Sequence, residues 1–207
     1  MPIKILVAFF VGAFGLVAHA QIPDVERLKS MTPAEAKALP FSRVPHRAMT
    51  PPMAEWNNNS LRNFDRLSML NNVFRRLRLR ASSFREARIG SVRFDESDLR
   101  ESNFSKALIY GTSFRLVVAD GSHFNGARFY GNKAPSWSCV RCDFQNTDFN
   151  ASSLTWANLS FADLRGADLS QADVAGVRFA GATYDSKTKL PFSDERATAL
   201  GMKKVQP

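Results

Sequence analysis

Side chains able to do chemistry are few in this chain of 207 residues. Cys139-Val140-Arg141-Cys142 forms a C-x-x-C, a spacing that supports thiol–disulfide exchange, or half of a zinc site when a second pair is present. The chain has 2 cysteines, so no second pair exists. Three readings stay open: a structural disulfide, a reduced buried pair, and a redox or metal role. Beyond the first twenty positions the histidines are His46 and His123, and neither has a nucleophile motif beside it. There is no H-E-x-x-H, no G-x-S-x-G and no Gly-rich phosphate loop, so no nucleophile, base and oxyanion site can be assembled from known patterns. The chain reads as a non-enzyme without cofactor or metal.

Charge is the other chemical resource. Lys and Arg number 28 against 19 Asp and Glu, a net +9, which favours anionic partners without defining a site. Seven arginines fall between Arg75 and Arg93, with Glu86 as the sole acid among them. That cluster could bind an anion, provided its arginines are not already neutralised by neighbours.

The elements that position these residues follow a five-residue rule. From Phe64 to Tyr184 every fifth residue is apolar or largely so, without insertion or deletion. From Ser82 onward the residue two places earlier is small, as at Ala87, Ser97, Ala107, Ala157 and Ala167, with Asn132 and Trp137 breaking the rule. Neither a helix nor an alternating strand sustains a period of five. A short fixed period means stacked units that bury one another's inner face.

Segments such as Ala157-Asn158-Leu159-Ser160-Phe161 and Ala162-Asp163-Leu164-Arg165-Gly166 resemble the A-(D/N)-L-x-x unit of the pentapeptide-repeat family. The resemblance implies an all-β solenoid, a right-handed quadrilateral β-helix with four pentads per coil. Its central large residue and the small residue two before it point inward. Twenty-five pentads make about six coils, a rod on the order of 30 Å long at strand spacing.

A twenty-residue coil can be tested on the charges, because residues i and i+20 then stack and opposite charges are favoured there. At that spacing ten pairs are opposite, among them Arg66/Glu86, Arg75/Asp95, Arg76/Glu96, Arg78/Asp98 and Arg165/Asp185, and three are like-charged. Spacings of fifteen and twenty-five show no such preference. The core ladder of one face then reads Phe64, Phe84, Phe104, Phe124, Phe144, Leu164, Tyr184. The same pairing partners most of the arginine cluster and leaves Arg80, Arg88 and Arg93 as a candidate surface for an anion or a partner. His123 stacks over Asp143.

The phase also places both Cys139 and Cys142 on inward positions, which in an oxidising compartment favours the structural disulfide. Near them, Pro135 lacks an N–H for the ladder, Ala134 underfills its core position, and Trp137 exceeds the small site. A local bulge at Pro135 and Trp137, with the indole packing sideways or emerging, is the expectation.

The ends depart from the repeat. Lys4, the apolar run Ile5 to Val17 and Ala18-His19-Ala20 have the layout of a secretory signal peptide cleaved after Ala20, with a retained membrane anchor as the other reading. Residues 21–63 are Pro-rich, and Thr32-Pro33-Ala34-Glu35 predicts a short helix over 33–39. The repeat occupies 64–184. Residues 185–207 form a C-terminal segment in which Ser193 caps a short helix over 193–200, read as an end cap or as a dimerisation face. The expected function is a binding or structural module of the cell envelope, periplasmic or secreted, whose partner is a protein or an anionic envelope component. The family resemblance also implies an alternative, DNA mimicry directed at a topoisomerase. The basic repeat, with 16 basic and 12 acidic residues over 64–184, and the export signal count against that alternative and against nucleic-acid binding.

Overall fold

Each pentad turns one corner of a four-sided coil. In a computed structural model, which describes residues 63–206, the residue two beyond nearly every core centre adopts a left-handed conformation, with φ near +58° at Arg66, Asn71 and Arg76. The N–H of the next residue donates to the carbonyl of the core centre, as in Ser102 to Leu99 at 3.1 Å and Ala107 to Phe104 at 3.0 Å. A β-turn with positive φ at its third residue is the type II geometry. Repeating that turn every five residues bends the chain into a closed square path. The signal segment, the helix over 33–39 and most of the Pro-rich segment lie outside the described residues.

Successive coils pair in parallel at a separation of twenty. Strands β1 (Ser68–Leu70), β2 (Arg88–Gly90), β3 (Leu108–Tyr110) and β4 (Arg128–Tyr130) form one four-stranded sheet in that order, with Met69 opposite Ile89 and Ile109 opposite Phe129. The other three sides carry single bridges at the same register, including Asn103 to His123 and Val118 to Ser138. The fold is the right-handed quadrilateral β-helix.

The core fills the square. Phe84, Phe104 and Phe124 are wholly buried and stack along the axis at centroid separations of 4.4 and 4.9 Å, continued by Phe144 at 5.1 Å. A second stack runs up the opposite side, Phe74 to Phe94 to Phe114 at 5.4 and 5.3 Å. The two stacks meet edge to face, as in Phe84 against Phe94 at 5.7 Å. Such pairs add about 0.5–1.5 kcal/mol each beyond burial.

The small inner site follows a rule that size alone does not capture. Ser122 Oγ donates to the Leu99 carbonyl at 2.7 Å and accepts from the Ser102 N–H at 3.0 Å. Asn132 makes the same two bonds with its amide, Nδ2 to the Ile109 carbonyl at 2.9 Å and Oδ1 from the Thr112 N–H at 2.8 Å. A polar residue here satisfies two backbone groups of the preceding coil, so Asn132 is no interruption.

The expected bulge at Pro135 and Trp137 is absent. The bridges Lys133 to Ser153 and Ser138 to Asn158 keep the register, and Pro135 contributes its carbonyl to the Leu116 N–H at 3.1 Å. Trp137 neither packs sideways nor emerges: it is 0% exposed and stacks on Phe114 at 5.3 Å. The reason is volume exchange, since Ala134 vacates the place below Phe114 and the indole occupies it from the neighbouring small site.

The C-terminal segment closes the last coil. Helix α1 (Asp194–Ala199) is capped by Ser193, and β6 (Lys203–Lys204) pairs with β5 (Thr183–Tyr184) at the same twenty-residue register. Ala197 and Met202 are buried against the end of the core, with Phe192 edge-on to Phe179 at 5.9 Å.

Candidate binding faces of the rod

The geometry sorts every residue of a pentad. The core centre and the small site point inward, the residue between them lies outward in the middle of a side, and the two turn residues form a corner. Candidate surfaces are therefore columns spaced by twenty, and each sequence-derived candidate can be placed on one.

Two of the three candidate arginines are already neutralised. Arg80 lies 2.5 Å from Glu101 and Arg93 lies 2.8 Å from Asp95, leaving Arg88 alone of the three without a carboxylate among the described residues. The long guanidinium stems at corners reach diagonally, so partners fall at twenty-one, nineteen or two positions as readily as at twenty. Glu96 collects three arginines, Arg75 at 2.7 Å, Arg76 at 2.6 Å and Arg115 at 2.8 Å. Hydrogen bonds from Arg75 and Arg76 pull its carboxyl down to about 2. Of the stacked pairs, Arg66 to Glu86 and Arg76 to Glu96 form directly, while Arg100 and Arg165 turn back to Asp98 and Asp163, each at 2.5 Å. His123 stands 3.8 Å from Asp143 on an exposed side.

Cys139 and Cys142 form a close pair inside the rod, Sγ to Sγ 2.03 Å and Cα to Cα 5.4 Å. Both are buried below Ala119, whose carbonyl lies 3.0 Å from the Cys142 sulfur. The pair fills space that Ala119 leaves open. No cluster of metal-ligating residues occurs among the described residues, and no described helix is long and apolar enough to cross a membrane.

A buried polar layer lies on the side of β4. Burial first, and then the Asp148 carboxylate, push the Tyr130 hydroxyl up to about 12. Burial also raises the carboxyl of Asp148, with the charge of Asp168 adding to it and hydrogen bonds from Asn150 and Tyr130 opposing it.

The exposed apolar residues form the least expected surface. Of the five large ones among the described residues, Leu116, Val118, Trp156 and Phe161 belong to one side of the rod and its two corners, the side whose core centres include Leu99, Ala119, Cys139 and Leu159. The fifth, Leu67, lies in the first coil. Trp156 is 72% exposed and Phe161 56%, both at left-handed corner positions with φ of 60° and 59°. A bulky residue at positive φ is conformationally costly, and packing inside the rod returns nothing at a corner. The repeat phase places both residues outward, so the signal is present in the sequence.

These features define a class, a closed-core β-helical rod whose recognisable surfaces are its sides. Comparison with known proteins agrees. The family profile for pentapeptide repeats matches in eight copies over residues 78–115, 97–132 and 138–176; the chain belongs to the pentapeptide-repeat family. Among solved structures it is similar to HetL, a pentapeptide repeat protein involved in heterocyst differentiation regulation from the cyanobacterium Nostoc sp. strain PCC 7120, with 21% identity and a TM-score of 0.56 over 64% of this chain. The matched region spans 61% of that protein's length. A trypsin-treated form of QnrB1, a plasmid-mediated fluoroquinolone resistance protein, matches at 19% identity and a TM-score of 0.38 over 61% of this chain and 69% of its own. At these identities the likeness speaks to the fold alone. No curated protein sequence matches the chain.

Proposed function

We propose that this chain is an exported, non-enzymatic binding module of the cell envelope, which engages its partner through one side of the rod. The observation that carries the reading is the gathering of Leu116, Val118, Trp156 and Phe161 on a single side, since exposed apolar residues in one patch mark interaction surfaces. Helix α1 and β6 occupy the C-terminal end, which favours the end cap over dimerisation there. The N-terminal layout supports export, cleavage after Ala20 and a periplasmic or secreted address. In that compartment the Cys139–Cys142 pair is a structural disulfide. Closing so short a loop stabilises the fold only at the low end of the usual range. The positive charge of the repeat argues against imitation of DNA.

Co-sedimentation of the mature protein with isolated cell envelopes tests the reading. Wild-type protein is expected in the pellet, and a Trp156→Ala/Phe161→Ala variant in the supernatant. Equal pelleting of the two, or no pelleting of either, refutes a side-mediated envelope interaction.

A further inference from the structure

The side that bears Trp156 and Phe161 differs from the other three in charge as well as in apolar content. In its last three coils it comprises residues 136–141, 156–161 and 176–181, which contain no Asp or Glu but include Arg141 and Arg178. The other sides carry Asp143 and Asp163, Asp148 and Asp168, and Asp173 in the same coils. The nearest carboxylate in the coil before, Asp120, is held by the Ser138 hydroxyl at 2.6 Å and the Val140 N–H at 2.9 Å. Arg178 is exposed in the middle of this side and has no carboxylate partner among the described residues.

The two aromatic rings are seated for presentation. A Cβ built on Gly176 would lie 2.6, 2.7 and 2.9 Å from three atoms of the Trp156 ring, near-equal distances that put it over the ring face. Gly181 stands in the same relation to Phe161, at 2.6 Å from two ring atoms. Each aromatic thus covers a glycine of the next coil with one face, and Trp156, 72% exposed, leaves its other face open. Arg141 lies over the Phe161 ring at 5.6 Å. Between the rings lie Asn158 and Ser160, and the Ser160 hydroxyl donates to the Asn158 Oδ1 at 2.6 Å, which orients the Asn158 amide.

We propose that this side is a platform for an extended anionic polysaccharide, with a pyranose ring stacking on Trp156 and the chain's acidic groups meeting Arg178 and the Arg141 that lies over Phe161. Open aromatic faces carry the negative lobe of the ring quadrupole and receive C–H edges, which a pyranose presents on its flat sides. Hydroxyl and amide side chains match sugar hydroxyls, and the missing carboxylates remove repulsion of an anionic chain. The proposal rests on the reading of the rod as an envelope-binding module and names the chemistry of its partner.

Binding of defined probes to the mature protein tests it, read by Trp fluorescence and calorimetry. The probes are alginate oligosaccharides, neutral cello-oligosaccharides of equal length, single-stranded DNA and vesicles containing anionic phospholipid. Alginate is expected to bind best. Trp156→Ala and Arg178→Gln should each weaken it about tenfold, the scale of a well-placed contact, with unchanged melting temperatures because both positions are exposed. Rising salt should weaken alginate binding. The proposal is overturned if alginate binds no better than the neutral sugar, if DNA or vesicles bind more tightly, or if alginate binding survives Trp156→Ala. Should envelopes still retain wild-type protein and release the Trp156→Ala/Phe161→Ala variant, the module reading stands and the glycan assignment falls.

Discussion

Trp137 and Ala134 should be strongly coupled, because one indole fills the place of two ordinary residues. Trp137 is fully buried, stacked on Phe114 at 5.3 Å and edge-on to Phe124 and Phe144 at 5.2 and 5.7 Å. Trp137→Ala leaves two alanines side by side inside the rod and should cost about 3–5 kcal/mol, the range for large-to-small changes at aromatic core positions. Ala134→Phe alone drives a ring into space the indole holds and should cost about 1–3 kcal/mol. The double variant restores the ordinary pattern of a large centre and a small flank. It should be more stable than Trp137→Ala, with a coupling of about 2–3 kcal/mol. Urea denaturation followed by far-UV circular dichroism measures all four proteins, with a single transition required for the comparison. Additivity within about 0.5 kcal/mol, or a double variant less stable than Trp137→Ala, refutes the volume-exchange account.

Two further outcomes follow from the inner and outer layers. Ser122→Ala removes a hydroxyl that satisfies the Leu99 carbonyl and the Ser102 N–H, so it should cost about 1–2 kcal/mol in the same urea assay, and an unchanged midpoint would show that these groups need no side chain. The Asp148 carboxyl is raised in the fold, so its ionised form is disfavoured there relative to the unfolded chain. That penalty is fully present above the folded pKa and disappears below the unfolded one. Asp148→Asn should therefore raise the melting temperature at pH 7, with the gain vanishing by about pH 3, below the unfolded aspartate value; a gain of the same size at both pH values would contradict the cause assigned.

How far the sequence reads depends on the length of the side chain concerned. The five-residue period is imposed by the backbone turn, so the coil and its twenty-residue register are legible from Phe64 onward. The inner volume is shared between the centre and the small site, and a one-position size rule misjudges Trp137, whose place is opened by Ala134. Asn132 breaks the size rule because its amide is bulky, yet it bridges two backbone groups that need partners. Ion pairs are least legible: a guanidinium at a corner or in the middle of a side reaches several carboxylates, so Arg80 and Arg93 meet Glu101 and Asp95 and the candidate patch is reduced to Arg88. The side marked by Trp156 and Phe161 follows from phase alone, once outward positions are read for apolar residues as carefully as inward ones.

The proposed export and the disulfide are both read from the intact mass of the protein recovered from its native cells. The expected chain begins at Gln21, is found in the envelope or medium, and has a mass two hydrogens below that of the dithiol form. A chain that retains the first twenty residues, recovered from the cytoplasm with both thiols free, would contradict both.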